Sequence, residues 1–155
     1  MKQTYIGQLA ALDFEASSLS PDGWPIEIGI SWIDGGIVRT WSSLIRPHSE
    51  WDITDWSPQS AAVHRISLSD LQIAPLVTEV ATAFFRALGS RRLVSDAPKF
   101  ETRWLSRFLD ASDIDYAPGI EDFPIIHKKK LGPTPYLHGG SADFAAVWLM
   151  QTNGL

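Results

Sequence analysis

Apolar positions divide the chain into a strand-rich first third and a helix-rich remainder. Residues 5–15, 26–34 and 36–46 mix β-branched, aromatic and small apolar side chains, which is typical of strands. Asp34-Gly35-Gly36 lies between the last two segments and predicts a tight hairpin turn. The chain is therefore predicted to open with a three-stranded meander.

From residue 57 onward the apolar positions follow a helical period. Ser57 is a plausible N-cap and Pro58 a first-turn residue, which predicts a short helix ending near His64. A second short turn is predicted to start at Ser67 or Ser69. One apolar stripe predicts a helix over residues 75–88 that ends at Gly89, and its members are residues 76, 77, 80, 81, 84, 85 and 88.

Strands and helices alternate in the second half of the chain. Leu93-Val94 predicts a short buried strand, and a helix with one apolar side is predicted over residues 100–109. A last strand is predicted over 123–126 and a terminal helix over 141–150. Alternation of this kind predicts parallel strand pairing, and no repeat or linker interrupts it, so residues 1–155 are predicted to form one α/β domain.

Composition narrows the chemistry. The 155 residues are enough for a buried core, and the absence of cysteine excludes disulfides, thiolate zinc sites and thiol nucleophiles. Carboxylates and imidazoles remain as metal ligands, which favours hard cations. A net charge of −5 argues against broad electrostatic capture of duplex nucleic acid but is compatible with a small site where metal ions neutralise phosphates.

No segment of the sequence predicts a membrane span. The longest uninterrupted apolar stretch, residues 144–150, is far shorter than the ~20 residues that a bilayer requires. Asp13 and Glu15 interrupt any signal-like N-terminal segment. We therefore expect a soluble, cytoplasmic protein without a membrane partner.

The first candidate site is the pair Asp13 and Glu15 at the end of an apolar run. Alternate residues of a strand share a face, so both carboxylates project to the same side, with Cα atoms roughly 6.6 Å apart. Such a pair can hold one or two hard cations.

Further acids and a histidine follow downstream. His138 precedes Asp143 by five residues, and the glycines beside His138 allow a mobile loop while Asp143 lies at the start of the terminal helix. Between the two signals, a strand end, turn and amphipathic helix carry Asp96 and Glu101.

This order of residues resembles the DEDDh 3'-5' exonucleases of the ribonuclease H-like superfamily, over about residues 5–150. D-x-E on the first strand, an acid on a central helix and H-x(4)-D near the C-terminus carry the resemblance. Pro25-Ile26-Glu27-Ile28-Gly29 and Val63-His64-Arg65-Ile66 resemble two further family segments. The family also has a tyrosine class, but the tyrosine position is Gly139 here, so the histidine class is indicated.

The resemblance implies a fold and an activity. The implied fold is a three-layer α/β arrangement with a mixed five-stranded sheet, in which strands 1–3 form an antiparallel meander, strands 4 and 5 run parallel to strand 1, and helices flank the sheet. The implied activity is 3'-5' exonuclease cleavage of single-stranded or short RNA or DNA with a free 3' end, giving nucleoside 5'-monophosphates. Many family members are dimers, which makes a homodimer possible.

Site roles also follow from the resemblance. Two Mg²⁺ or Mn²⁺ ions are implied, with Asp13 bridging both, Glu15 and Asp143 holding the first, and His138 deprotonating the attacking water. Substrate contacts are implied for His64, Phe14 and Ala16, and a packed structural role is an equal alternative for His64.

The chain departs from the family pattern at the acid of the central helix. The family has aspartate there, whereas this chain has Glu101, which reaches one methylene further. Glu101 is the preferred metal ligand and Asp96 is the alternative. Two rival functions stay open: a catalytically degenerate nucleic-acid-binding or interaction module with this fold, and a phosphodiesterase for dinucleotides or other small phosphorylated molecules.

Overall fold

The structure is a computed structural model that describes residues 8–122. The predictions for His138 and Asp143, for a strand over 123–126 and for a helix over 141–150 lie outside the described residues. One domain over residues 1–155 therefore stays a prediction. Between residues 8 and 122, no helix is long and apolar enough to cross a bilayer.

Five strands form one mixed sheet with the order β3-β2-β1-β4-β5. β1 pairs antiparallel with β2 and β2 with β3, whereas β1 pairs parallel with β4 and β4 with β5. The strands are β1 Leu9–Ala16, β2 Pro25–Asp34, β3 Ile37–Leu44, β4 Arg92–Ser95 and β5 Ile120–Asp122. The predicted mixed five-stranded sheet is confirmed.

The hairpin between β2 and β3 turns at the predicted glycines. Gly35 and Gly36 have φ values of 55° and 78°, a backbone region that costs glycine little and other residues more. Asp34 pairs with Ile37 across the turn. A two-residue turn with both φ values positive matches the right-handed twist of the strands on either side.

Four helices follow the predicted order: α1 Pro58–His64, α2 Leu68–Gln72, α3 Val77–Leu88 and α4 Pro98–Ala111. The Ser57 hydroxyl accepts the Ser60 N–H at 3.2 Å, which confirms Ser57 as the N-cap of α1. At α2 the cap is Ser67, whose hydroxyl accepts the Asp70 N–H at 3.1 Å. Both α1 and α2 thus begin where a serine satisfies a free amide of the first turn.

The main core lies between one face of the sheet and helices α3 and α4. Phe84 of α3 and Phe108 of α4 meet edge-on at 6.2 Å, and Phe108 meets Phe14 of β1 at the same distance. Leu9, Ala11 and other apolar residues form a smaller cluster on alternate positions of the strands. Because side chains alternate along β1, Asp13 and Glu15 share the face of Leu9 and Ala11, while Phe14 points into the main core.

Candidate active site

Four acidic side chains gather around the C-terminal half of β1. Asp13 and Glu15 come from β1, Glu27 comes from β2, and Glu101 comes from the first turn of α4. Asp96, in the turn between β4 and α4, adds to the negative charge around Asp13 and Glu101. β4 lies beside β1 in the sheet. The turn after β4 therefore brings Asp96 close to Asp13, and the first turn of α4 brings Glu101 close to it.

Glu101 is buried and in contact with Asp13. The residue is 6% exposed, and the Glu101 carboxyl group, in its protonated form, donates a hydrogen bond to the Asp13 carboxylate. Burial, followed by the mutual repulsion of the two acids, raises the pKa of Glu101 well above its usual range. For Asp13 the pKa is also raised, by burial and then by the charges of Glu15 and Asp96.

Glu15 faces a second buried carboxylate across the sheet. Its pairing partner on β2 is Glu27, which is 8% exposed. Burial and then the Glu27 charge raise the pKa of Glu15 to about 7. The pairing register that sets Glu27 opposite Glu15 cannot be read from either strand alone.

The acid cluster has the chemistry of a site for hard cations. All its donors are oxygen, and Glu101 Oε2 is buried with no hydrogen-bond partner among the described residues. Within residues 8–122 no three acidic or histidine side chains are already arranged as a metal site. The implied set also includes Asp143, outside that range, so the described residues fit Mg²⁺ or Mn²⁺ as part of a ligand set.

The loop that follows β1 is held by its own side chains. The Ser17 N–H donates to the Trp24 carbonyl at 2.9 Å, and the Trp24 N–H donates to the Ser17 hydroxyl at 3.0 Å. The hydroxyls of Ser18 and Ser20 donate to the Asp55 carboxylate, which lowers the pKa of Asp55. The chain beyond Glu15 is therefore fixed in place rather than free.

Of the implied substrate residues, two lie on β1. Phe14 is 6% exposed and its ring packs in the main core, so its side chain serves packing. Ala16 is partly exposed and lies at an irregularity in the pairing with β2, next to Glu15. Their contacts with substrate stay predictions.

His64 ends α1 with one ring nitrogen engaged. Its Nδ1 accepts the Ile66 N–H at 3.0 Å, so the neutral ring carries its proton on Nε2. Nε2 is buried and has no partner among residues 8–122, and burial lowers the pKa of His64. Arg65, the residue after α1, adopts a left-handed backbone with φ of 58°.

A cluster of aromatic rings surrounds the loop after β1. Trp24 is fully buried, stacks on Trp51 at 5.9 Å between ring centroids and lies 6.0 Å from Trp56. Its indole N–H donates to the Asp52 carbonyl at 2.8 Å. Trp56 in turn meets His64 edge-on at 5.4 Å. Trp24 therefore serves packing.

Several solved structures share the fold of this chain. The nuclease domain of 3'hExo, a DEDDh family member bound to rAMP, superposes with a TM-score of 0.67 at 18% identity, covering 97% of this chain and 94% of that chain. The chain has the fold of the DEDDh exonucleases. No protein-family model and no curated protein matches the sequence.

Exonuclease I of E. coli in complex with a dA16 oligonucleotide shares the fold at 11% identity and a TM-score of 0.62. Cell-death related nuclease 4 shares it at 18% identity and a TM-score of 0.56 over 70% of this chain and 41% of that chain. The chain spans 28% of the length of that exonuclease I and 38% in its metal-free complex with single-stranded DNA. The likeness shows the fold.

Proposed function

We propose that the protein is a metal-dependent 3'-5' exonuclease that releases nucleoside 5'-monophosphates from single-stranded or short nucleic acid. The observation that carries the proposal is the joining of Asp13, Glu15 and Glu101 at the end of β1 in an exonuclease fold. Solved structures with this fold include complexes with rAMP and with dA16. Perturbed carboxylates that converge on one point are a mark of functional sites.

The acids would hold two divalent cations. When bound, such a pair stabilises the attacking and the leaving oxygen of an in-line displacement at phosphorus. In this chain Asp13 would bridge the ions, Glu15 and Asp143 would hold the first, and Glu101 would hold the second, with Asp96 as the alternative. Without a cation the clustered acids raise each other's pKa and hold protons, and a bound cation would replace those protons.

The remaining roles belong to groups that handle protons and substrate. His138 would take the proton of the attacking water, a role that suits a neutral imidazole near pH 7. His64 would contact the terminal nucleotide through its Nε2 hydrogen, because Nδ1 already accepts the Ile66 N–H; since Nε2 is buried, this contact requires the side chain to move when substrate binds. Phe14 and Ala16 would contact the substrate beside the acids, Phe14 through its backbone.

A degenerate binding module is the second candidate. It is favoured by one observation, the direct hydrogen bond between Glu101 and Asp13, in which the longer side chain occupies space beside the bridging acid. Such a module would bind single strands without cleaving them. A third candidate, a phosphodiesterase for dinucleotides, keeps the same chemistry and differs in substrate length.

The test measures cleavage of a 5'-labelled single-stranded 20-mer and of a 5'-labelled dinucleotide in Mn²⁺, Mg²⁺ or EDTA. The proposal predicts a ladder that shortens from the 3' end, requires a divalent cation and is stopped by a blocked 3' terminus. Cleavage of the dinucleotide alone supports the small-substrate phosphodiesterase. Binding without cleavage in either metal overturns the exonuclease and leaves the degenerate module. Light scattering of the same sample tests whether the protein forms a homodimer.

A further inference from the structure

A cleft of 640 Å³ lies along the outer side of α4, away from the buried acids. One wall consists of α4 residues on a single helical face, and the other consists of the segment after β3 that carries His48 and Trp51. The α4 wall is formed by Lys99, Thr102, Arg103, Ser106, Arg107 and Asp110. Lys99, Arg103 and Arg107 are four residues apart, so successive cations follow each other about every 6 Å along the helix.

Two of these cations are fixed by uncharged partners. Arg107 donates to the Gly23 carbonyl at 2.7 Å and the Pro21 carbonyl at 3.1 Å, and Arg103 donates to the Leu19 carbonyl at 3.3 Å. Carbonyl oxygens orient a guanidinium without neutralising it. The charge of Arg107 is partly offset by the Asp55 carboxylate nearby, whereas Arg103 lies over the Trp104 ring at 4.4 Å.

The opposite wall offers a rigid aromatic surface. Trp51 is partly exposed, and its ring is braced from behind by the stacked, buried Trp24. His48 lies 5.9 Å from Trp51 and also lines the cleft. A ring that is held in place stacks on bases at little entropic cost, and stacking tolerates any base sequence.

The cleft and the acid cluster share one helix. Lys99 lies two residues before Glu101, with Glu101 facing inward and Lys99 outward. Two exposed apolar side chains lie beside Arg103 of the cleft, Leu19 at 70% exposure and Phe100 at 50%. Arg103 contacts both residues, because it donates a hydrogen bond to the Leu19 carbonyl and its guanidinium lies 5.5 Å from the Phe100 ring. A strand leaving the acids over the first turn of α4 would enter the cleft.

We propose that this cleft binds the upstream part of a single-stranded nucleic acid whose 3' end lies at the acid cluster. Phosphates would lie along the α4 cations, and bases would stack on Trp51. The direction of the strand rests on the proposed exonuclease function. Glu50 and Asp110 also line the cleft, so its net positive charge is small. Because each phosphate contact with an α4 cation releases counterions, binding should still be salt-sensitive.

The variants that test the cleft change its charge and keep the hydrogen bonds from Arg103 and Arg107 to the loop after β1. Lys99→Gln removes one cation, Ser106→Asp adds an anion and Ser106→Lys adds a cation, all at exposed positions of α4. Matched controls are Arg86→Gln on α3 and Ser90→Asp before β4, both exposed and outside this cleft. Binding of fluorescent dT10 and U10 is measured by anisotropy in EDTA, where hydrolysis cannot occur.

We expect Kd for both 10-mers to rise about 3- to 10-fold for Lys99→Gln and Ser106→Asp and to fall for Ser106→Lys at low salt, because charge acts directly on phosphate binding. Lys99→Gln should reduce the slope of log K against log salt by about 0.7, the value for one single-strand phosphate contact. The controls should change Kd by less than about 2-fold.

A second measurement compares substrate lengths in Mn²⁺. A dinucleotide held at the acids leaves most of the cleft empty, so Ser106→Asp should lower kcat/KM for a 10-mer more than for a dinucleotide. The proposal that the cleft binds nucleic acid is overturned by any of three results. These are equal losses of kcat/KM on both substrates, an unchanged Kd across the charge variants, and no measurable binding of either 10-mer. If Kd changes with the charge of the variants as expected but no substrate is cleaved, the exonuclease proposal fails and the proposal of a binding cleft is supported.

Discussion

The side chains of Asp13 on β1 and Glu101 on α4 are joined by a hydrogen bond between two carboxyl groups. Such a bond requires a proton on one of the pair, and Glu101 is the group that holds it. The bond links the strand that begins the sheet to the helix that follows β4. In the absence of a cation, a proton is what keeps these acids together, so pH and metal binding should act on the same groups.

Glu101→Gln should stabilise the metal-free protein at pH 8 and not at pH 4. Because the folded pKa of Glu101 lies above its unfolded value, the folded state binds more protons, and wild-type stability falls as pH rises from the unfolded to the folded pKa. Glutamine keeps a donor towards Asp13 and cannot ionise. We expect a gain of about 1–3 kcal/mol at pH 8, the usual range for a buried group without its partner.

Urea unfolding in EDTA at the two pH values measures this gain. Glu50→Gln is the matched control, because Glu50 is exposed. Equal pH dependence of the wild type and Glu101→Gln would contradict the assigned sharing of a proton.

Mn²⁺ should bind more tightly as pH rises through about 7. The pKa of Glu15 is about 7, so a cation must displace a proton from Glu15 below that pH. We expect the Mn²⁺ affinity measured by calorimetry to rise at least several-fold between pH 6 and pH 8, with proton release that decreases over the same interval. Loss of this dependence in Glu15→Gln supports the assignment, and its full retention contradicts it.

Glu101 and Asp96 differ in how directly they contact the site. Glu101 bonds Asp13, whereas Asp96 acts on Asp13 and Glu101 through its charge. We therefore expect Glu101→Ala to lower kcat/KM by about 100-fold or more and Asp96→Ala by less than about 10-fold, since loss of a metal ligand removes transition-state stabilisation. The reverse order would make Asp96 the ligand.

Arg65 carries a backbone cost that glycine would remove. A left-handed conformation disfavours residues with a Cβ by about 1–2 kcal/mol, and glycine loses part of that gain through a more flexible unfolded chain. We expect Arg65→Gly to raise the free energy of unfolding by about 0.5–1 kcal/mol and Arg65→Val to lower it. Urea unfolding of both variants checks this, and a destabilising Arg65→Gly would contradict it.

Local signals predicted much of the fold because their causes are local. Ser57 and Pro58 define the start of α1 through a cap and a missing N–H, and Gly35-Gly36 define the hairpin through positive φ values. The apolar stripe predicted α3, which begins two residues later than expected because Leu76 is still extended. α4 begins two residues earlier than expected, with Pro98 in its first turn.

Features that depend on pairing were harder to predict. β5 has one apolar residue, Ile120, followed by Glu121 and Asp122, which is too short a pattern to predict a strand, and their pairing with β4 makes them one. Glu27 reads as an ordinary strand residue until the register places it opposite Glu15. Asp13, Glu15 and Glu101 were predicted from the ordered motif, whereas their shared proton follows from three-dimensional contact.

Asp13 is the residue on which the proposed chemistry depends most, and one measurement tests it. Release of nucleoside 5'-monophosphates from a single-stranded 20-mer in Mn²⁺ is compared among the wild type, Asp13→Asn and Asp115→Asn. Asp115 is exposed, which makes it a control for loss of one carboxylate. We predict release by the wild type and Asp115→Asn and a loss of at least about 1,000-fold in Asp13→Asn. Undiminished release by Asp13→Asn would contradict the account.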